Sequence, residues 1–238
     1  MYEKMKDQVK VSEHEYRYIG KHANRAEGAE LMSGKRQFLD DIFKPGMLIV
    51  RVLRSPHANA LIKRIDTEKA KAVPGVVGVA TYKDAPDWKC GLPHHRRVLD
   101  DHMRFVGDSV ALVAAETSEA ADEALEKIEV EYEVLPFILD CEKALEADAP
   151  QLYEEYPGNE IPKTTPFSEV PFNQIFVGDV NKAFEESAYV KEGYMKYENM
   201  AHPLPPESPG CIAEWTGEHA VTVWYNGGAP HLQKFNTE

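Results

Sequence analysis

The stretch Val110–Pro136 reads VALVAAETSEAADEALEKIEVEYEVLP, and its periodicity changes twice. Val110 to Ala115 is an apolar run of strand length. Thr117 or Ser118 then stands where a hydroxyl can accept an amide proton that a first helical turn leaves unpaired. From Glu119 to about Lys127, residues Ala120, Ala121, Ala124, Leu125 and Ile128 share one face at helical spacing. At Ile128 the period drops to two. Ile128, Val130, Tyr132 and Val134 alternate with Glu129, Glu131 and Glu133, the pattern of a strand with one wet face. Leu135-Pro136 ends it. The stretch is therefore a strand–helix–strand unit, and its acids belong to a solvated face rather than to a cation site.

Upstream the same order recurs. Met47 to Leu53 (MLIVRVL) is apolar at nearly every position, which suits a strand covered on both faces. Arg54-Ser55-Pro56-His57 closes that run. Ala60 to Ile65 reads as a strand, Asp66 as the cap of a short helix Thr67 to Val73, Pro74-Gly75 as its stop, and Val76 to Tyr82 as the next strand. Two such units point to one α/β (α+β) domain over 19–150, preceded by a polar arm at 1–18. Residues 151–176 carry Pro157, Pro162, Pro166 and Pro171 and read as a linker. Beyond it, Gly178-Asp179 caps a helix Val180 to Ser187. Tyr189 to Tyr197 is expected as a strand, and Cys211–Trp215 with Ala220–Trp224 as a hairpin. Residues 177–238 are too few to build a core of their own and read as the first piece of a larger domain.

Composition narrows the function classes. Of 238 residues, 43% are hydrophobic and 28% charged, so a folded chain is expected rather than a disordered one. Lys plus Arg number 27 against 40 Asp plus Glu, a net charge of -13. A chain this acidic repels a phosphate backbone and an anionic membrane surface alike. No apolar run approaches the ~20 residues needed to span a bilayer, and the charged start has no signal-peptide core. The three cysteines, Cys90, Cys141 and Cys211, are far apart and fit a reducing cytoplasm. They are too few for an iron–sulfur cluster.

Motifs for independent chemistry are sparse. Cys90, His94, His95 and His102 are metal-ligand types, but their spacing matches no recurrent site and a solvated loop is expected. No glycine-rich phosphate loop opens a helix, and no nucleophile elbow is present. His202 to Gly210 (HPLPPESPG) is a rigid, non-regular segment that either lines a pocket or crosses the surface.

Several segments together resemble the molybdenum-cofactor subunit of the xanthine dehydrogenase and aldehyde oxidase family. They are Phe38-Leu39-Asp40-Asp41-Ile42, Arg54-Ser55-Pro56-His57-Ala58-Asn59-Ala60, Val106-Gly107-Asp108-Ser109-Val110-Ala111, Ile128–Pro136, Gly178-Asp179-Val180 and His202 with Glu207. The resemblance implies a hammerhead-type domain at 19–150. It implies that 177–238 is the N-terminal, incomplete part of a molybdopterin-binding domain. It further implies a subunit or fragment of a molybdenum hydroxylase that oxidises an N-heteroaromatic ring or an aldehyde, with water as the oxygen source. Molybdopterin would be shared with the remaining part of the subunit, and iron–sulfur clusters and FAD would sit on partner subunits.

Cofactor contacts carried over by the resemblance are Met200, His202, Glu207, Gly227 and Gly228. Met200 stands where the family often has a glutamine, and Gly228 where a related stretch has another. No catalytic base or nucleophile is assigned to this chain, because no poised His–carboxylate or thiolate arrangement is visible. The reading from another class is a non-catalytic interaction module that keeps the hammerhead fold.

Overall fold

The computed structural model describes residues 17, 19–21, 23–85, 87, 89–90, 96–160, 164–165, 168–171, 178–196 and 207–227. In chain order the helices are α1 (Gly28–Met32), α2 (Glu68–Lys71), α3 (Ser118–Glu126) and α4 (Val180–Glu186). The strands are β1 (Ile49–Arg54), β2 (Ala60–Asp66), β3 (Val76–Thr81), β4 (Lys89–Cys90), β5 (Arg96–Arg97), β6 (His102–Met103), β7 (Ser109–Ala115), β8 (Glu129–Val134), β9 (Thr164–Thr165), β10 (Ser168–Pro171), β11 (Cys211–Gly217) and β12 (Ala220–Tyr225). Described residues up to Phe43 group with 207–227 as one compact unit, and those of 44–196 form the other.

In the larger unit the two strand–helix–strand segments interlock. One three-stranded sheet has the order β1-β7-β3, the other β6-β2-β8, and every pairing is antiparallel. Each segment starts in one sheet and ends in the other: β2–α2–β3 crosses one way and β7–α3–β8 the other. Helix α3 packs on β1 and β7, α2 packs on β3, and the helices touch each other. Small residues permit this close approach. Ala70, Ala111, Ala115, Ala121 and Ala124 are fully buried at the helix–sheet contact, with Val113 among them.

Local chemistry fixes the crossovers. Thr117 caps α3 by accepting the Ala120 amide at 3.2 Å. At α2 the N-cap Thr67 makes no such bond, and the preceding Asp66 accepts the Glu68 amide at 3.1 Å instead. Gly75 turns the chain at φ 87, a left-handed conformation that a side chain disfavours. Its carbonyl then accepts the Glu116 amide at 2.8 Å, joining the two crossovers. On β8 the acids at 129, 131 and 133 face outward while Val130 and Tyr132 pack on the core.

Two expectations need correction. The strand read from Met47 is not covered on both faces: β1 is an outer strand, and Val50 is 56% exposed. Residues 189–196 form no strand. Tyr189 is 91% exposed, and among the described residues no neighbouring strand takes up the backbone groups that a ladder requires. The expected hairpin is present as β11–β12, with Ile212 opposite Trp224.

Candidate functional site

The smaller unit contains a cleft of about 800 Å³, open to solvent. Its apolar lining comes from Leu31, Phe38, Leu39 and Ile42 on one side and Val223, Trp224 and Tyr225 of β12 on the other. Glu207 and Gly227, two of the five residues singled out by sequence, both line it. Met200, His202 and Gly228 lie outside the described residues.

Glu207 has a defined task here. Its Oε1 accepts the Leu39 amide at 2.7 Å, which ties the 38–41 turn to the segment entering β11. Asp41 accepts the Phe38 amide at 2.9 Å and closes that turn. Asn226 accepts the Gly210 amide at 2.9 Å and donates to the Ser208 carbonyl, bracketing the hairpin. Gly227 leaves room for the Tyr225 ring, since a Cβ there would meet it at 3.2 Å. The charged groups at the rim pair among themselves: Arg25 with Glu27 at 3.2 Å, and Arg36 with Glu30 at 3.7 Å. Leu39 and Asn226 give no local signal in the sequence, because Leu39 acts through its backbone amide and Asn226 acts on backbone groups 16 and 18 residues away.

In the larger unit, the segments that carry the family resemblance meet one another. Ser55 donates its amide to the Asp108 carbonyl and accepts the Gly107 amide at its own carbonyl, both at 2.8 Å. Arg54 donates to the Gly107 carbonyl at 2.9 Å. Asn59 donates to the Pro136 carbonyl at 2.6 Å and contacts the His102 ring nitrogen at 2.7 Å. His57 packs edge-on against Tyr132, with ring centroids 4.9 Å apart. These contacts join the loops that carry the resemblance to one another.

Arg104 extends the joint. It pairs with Asp100 at 2.6 Å, donates to the Leu152 carbonyl at 3.0 Å and lies over the Tyr153 ring. Burial raises the Asp100 pKa, but the Arg104 hydrogen bond and charge outweigh it, so the carboxyl titrates below its ordinary range. Asp101 is pushed up, by burial first and then by the neighbouring Asp100. Burial pushes His102 down, so it favours the neutral ring.

Of the ligand types noted in sequence, His94 and His95 lie outside the described residues, and His102 is engaged with Asn59. Among the described residues there is no group of three or more His, Cys, Asp or Glu side chains able to hold a metal ion. Cys141 and Cys211 are exposed free thiols. No helix among the described residues is long and apolar enough to cross a membrane.

Comparison with known proteins adds the following. A family profile described as aldehyde oxidase and xanthine dehydrogenase, a/b hammerhead domain, matches residues 33–136. A probable hypoxanthine oxidase XdhD of Escherichia coli is 40% identical over 85% of this chain and 25% of its own length. A carbon monoxide dehydrogenase large chain of Afipia carboxidovorans is 34% identical over 90% of this chain and 28% of its own. The solved structure of reconstituted CO dehydrogenase from Oligotropha carboxidovorans superposes with a TM-score of 0.75 at 33% identity, covering 92% of this chain and 28% of that one. The chain thus spans little more than a quarter of the length of these relatives.

Proposed function

Because this chain belongs to the aldehyde oxidase and xanthine dehydrogenase family, we propose that it is the N-terminal portion of a molybdenum hydroxylase large subunit, working only with the rest of that subunit. The reaction is R–H + H₂O → R–OH + 2H⁺ + 2e⁻, on an N-heteroaromatic ring or an aldehyde. The electrons leave through iron–sulfur clusters to FAD on partner subunits. The observation that carries this reading is the interlocked pair of strand–helix–strand segments, lying within the stretch that the hammerhead profile matches. The free thiols at Cys141 and Cys211 agree with a reducing, cytoplasmic setting.

The described residues alone do not fit a complete molybdopterin site. Such a cofactor carries phosphate, which calls for several unpaired cations or converging backbone amides. Around the cleft, Arg25 and Arg36 already face Glu27 and Glu30, and Glu207 is held by the Leu39 amide. The resemblance to the family places most of the cofactor's site on polypeptide outside this chain. Met200, His202, Glu207, Gly227 and Gly228 contribute at most one edge of its site, within the incomplete domain at 177–238. The hammerhead domain at 19–150 acts as scaffold.

The test is reconstitution. The chain is co-expressed with the remainder of its large subunit and the iron–sulfur and flavin subunits, then assayed in H₂¹⁸O against N-heteroaromatic and aldehyde substrates. The reading predicts ¹⁸O in the product only when both parts of the large subunit are present. Turnover by the chain alone, or a complete assembly that hydroxylates none of these substrates, contradicts it. A stable monomer that recruits no larger chain would favour the non-catalytic module.

A further inference from the structure

We infer that the second face of the β1-β7-β3 sheet is the docking surface for the remaining polypeptide of the large subunit, an inference that rests on the function proposed above. The first face is filled. Arg51 reaches Asp122 at 3.2 Å and Ser118 at 2.9 Å, both on α3, which marks the helix side. Leu53 and Val79 pack on the core from that same side.

On the opposite face, the strand register places two cross-strand rows, Val50–Ala114–Gly78 and Val52–Leu112–Ala80. Nothing in either row is polar. With neighbouring strands ~4.8 Å apart, the two rows make a continuous apolar patch. Val50 is 56% exposed, and Val52, Leu112, Ala114 and Ala80 are only partly buried. Monomeric proteins rarely leave such a patch bare, and Val50 and Val52 put branched apolar side chains on this face of β1, the residue type that a covered strand face carries.

Two observations select the occupant. Relatives that match most of this chain are about four times longer, since it covers only 25% and 28% of two of them. Most of a large subunit therefore lies outside this chain and has area to offer. A second copy is a poor match, because each chain carries a net charge of -13 and two copies bring like charges together. The occupant is thus the rest of the large subunit, presenting an uncharged apolar segment to the two rows.

Co-purification tests this directly. The tagged full chain is co-expressed with the remainder of its large subunit, as wild type, as Val50→Lys, as Leu112→Glu, and as the control Glu131→Lys on the wet face of β8. The expected result is a 1:1 complex for wild type and control, and at least a tenfold lower yield for Val50→Lys and Leu112→Glu. Circular dichroism of each isolated variant reports folding. If Leu112→Glu does not fold, hydrogen exchange of wild-type residues 50–53 and 111–114, with and without the remainder, replaces it, and slowed exchange on binding is expected.

A complex that forms equally well with Val50→Lys, with no slowing at those residues, overturns the assignment of this face and leaves the proposed function standing. A wild-type chain that does not bind the remainder overturns both. A homodimer broken by Val50→Lys overturns the choice of occupant.

Discussion

Replacing Arg104 by Met should destabilise the larger unit, by an amount that depends on pH. Arg104 and Asp100 form an ion pair at 2.6 Å with side chains only 14% and 12% exposed. Removing the cation leaves a mostly buried carboxylate, and breaking such a pair ordinarily costs about 3–5 kcal/mol. Asp100 keeps the Asp101 amide at 2.9 Å and the more distant Arg97 at 3.7 Å, which offset part of that loss and bring the cost to about 2–3 kcal/mol at pH 7. For a unit of this size that is a fall in Tm of roughly 5–10 °C.

The sign of the pH dependence follows from the direction of the Asp100 shift. Its folded pKa lies below the unfolded value of about 3.9. Asp100 therefore contributes stability that is full above that value and is lost as pH falls through the folded pKa. In Arg104→Met only the raising effect of burial remains strong, so the carboxyl protonates at higher pH and sheds its buried charge. The gap between wild type and variant should shrink to about 1 kcal/mol or less near pH 3. Urea unfolding at pH 7 and pH 3, with Asp100→Asn and the double variant to complete a cycle, measures it. A deficit under about 1 kcal/mol at pH 7, or one that stays the same at pH 3, would refute the reasoning.

Gly75→Ala should cost about 1–2 kcal/mol, read by thermal unfolding, because φ is 87 and the new Cβ would sit 3.5 Å from that of Ala120. Glu207→Ala should speed hydrogen exchange at the Leu39 amide about tenfold, whereas Glu207→Gln, which keeps an acceptor oxygen, should leave it nearly unchanged. The Asp140 carboxyl is lowered to about 2 by the Lys196 side chain and then by the Lys143 and Glu142 amides. Carboxyl NMR should find it there, and Lys196→Ala should raise it part of the way, since both amide bonds remain.

The legible parts of the fold were those whose residues carry their own period. The change from helical spacing to strict alternation at Ile128 sets α3 apart from β8, and the hydroxyl at Thr117 marks the helix start. Pairing partners were not legible, because nothing local in Ala60–Asp66 says that it lies between β6 and β8 while the next strand joins another sheet. The aromatic run from Tyr189 has strand composition but no ladder to join, so composition misled there. β1 is the opposite case. Its sequence describes two covered faces and the structure covers one.

At the candidate site, the sequence pointed to Glu207 as a cofactor contact, whereas the contact the structure shows, with the Leu39 amide, had no signal. The Leu39 amide is a backbone group 168 residues away, and no side-chain pattern announces it. The roles of Ser55 and Asn59 were likewise hidden, since both act through hydrogen bonds to distant backbone groups.

The most direct test is the native mass and molybdenum content of the protein isolated from its own cells. The account predicts an assembly holding this chain with a polypeptide about three times its length, given the quarter of such relatives that it covers, and molybdenum in near-equal amount to the chain. A lone, metal-free 238-residue species, recovered together with an active molybdenum enzyme that lacks it, would contradict the account.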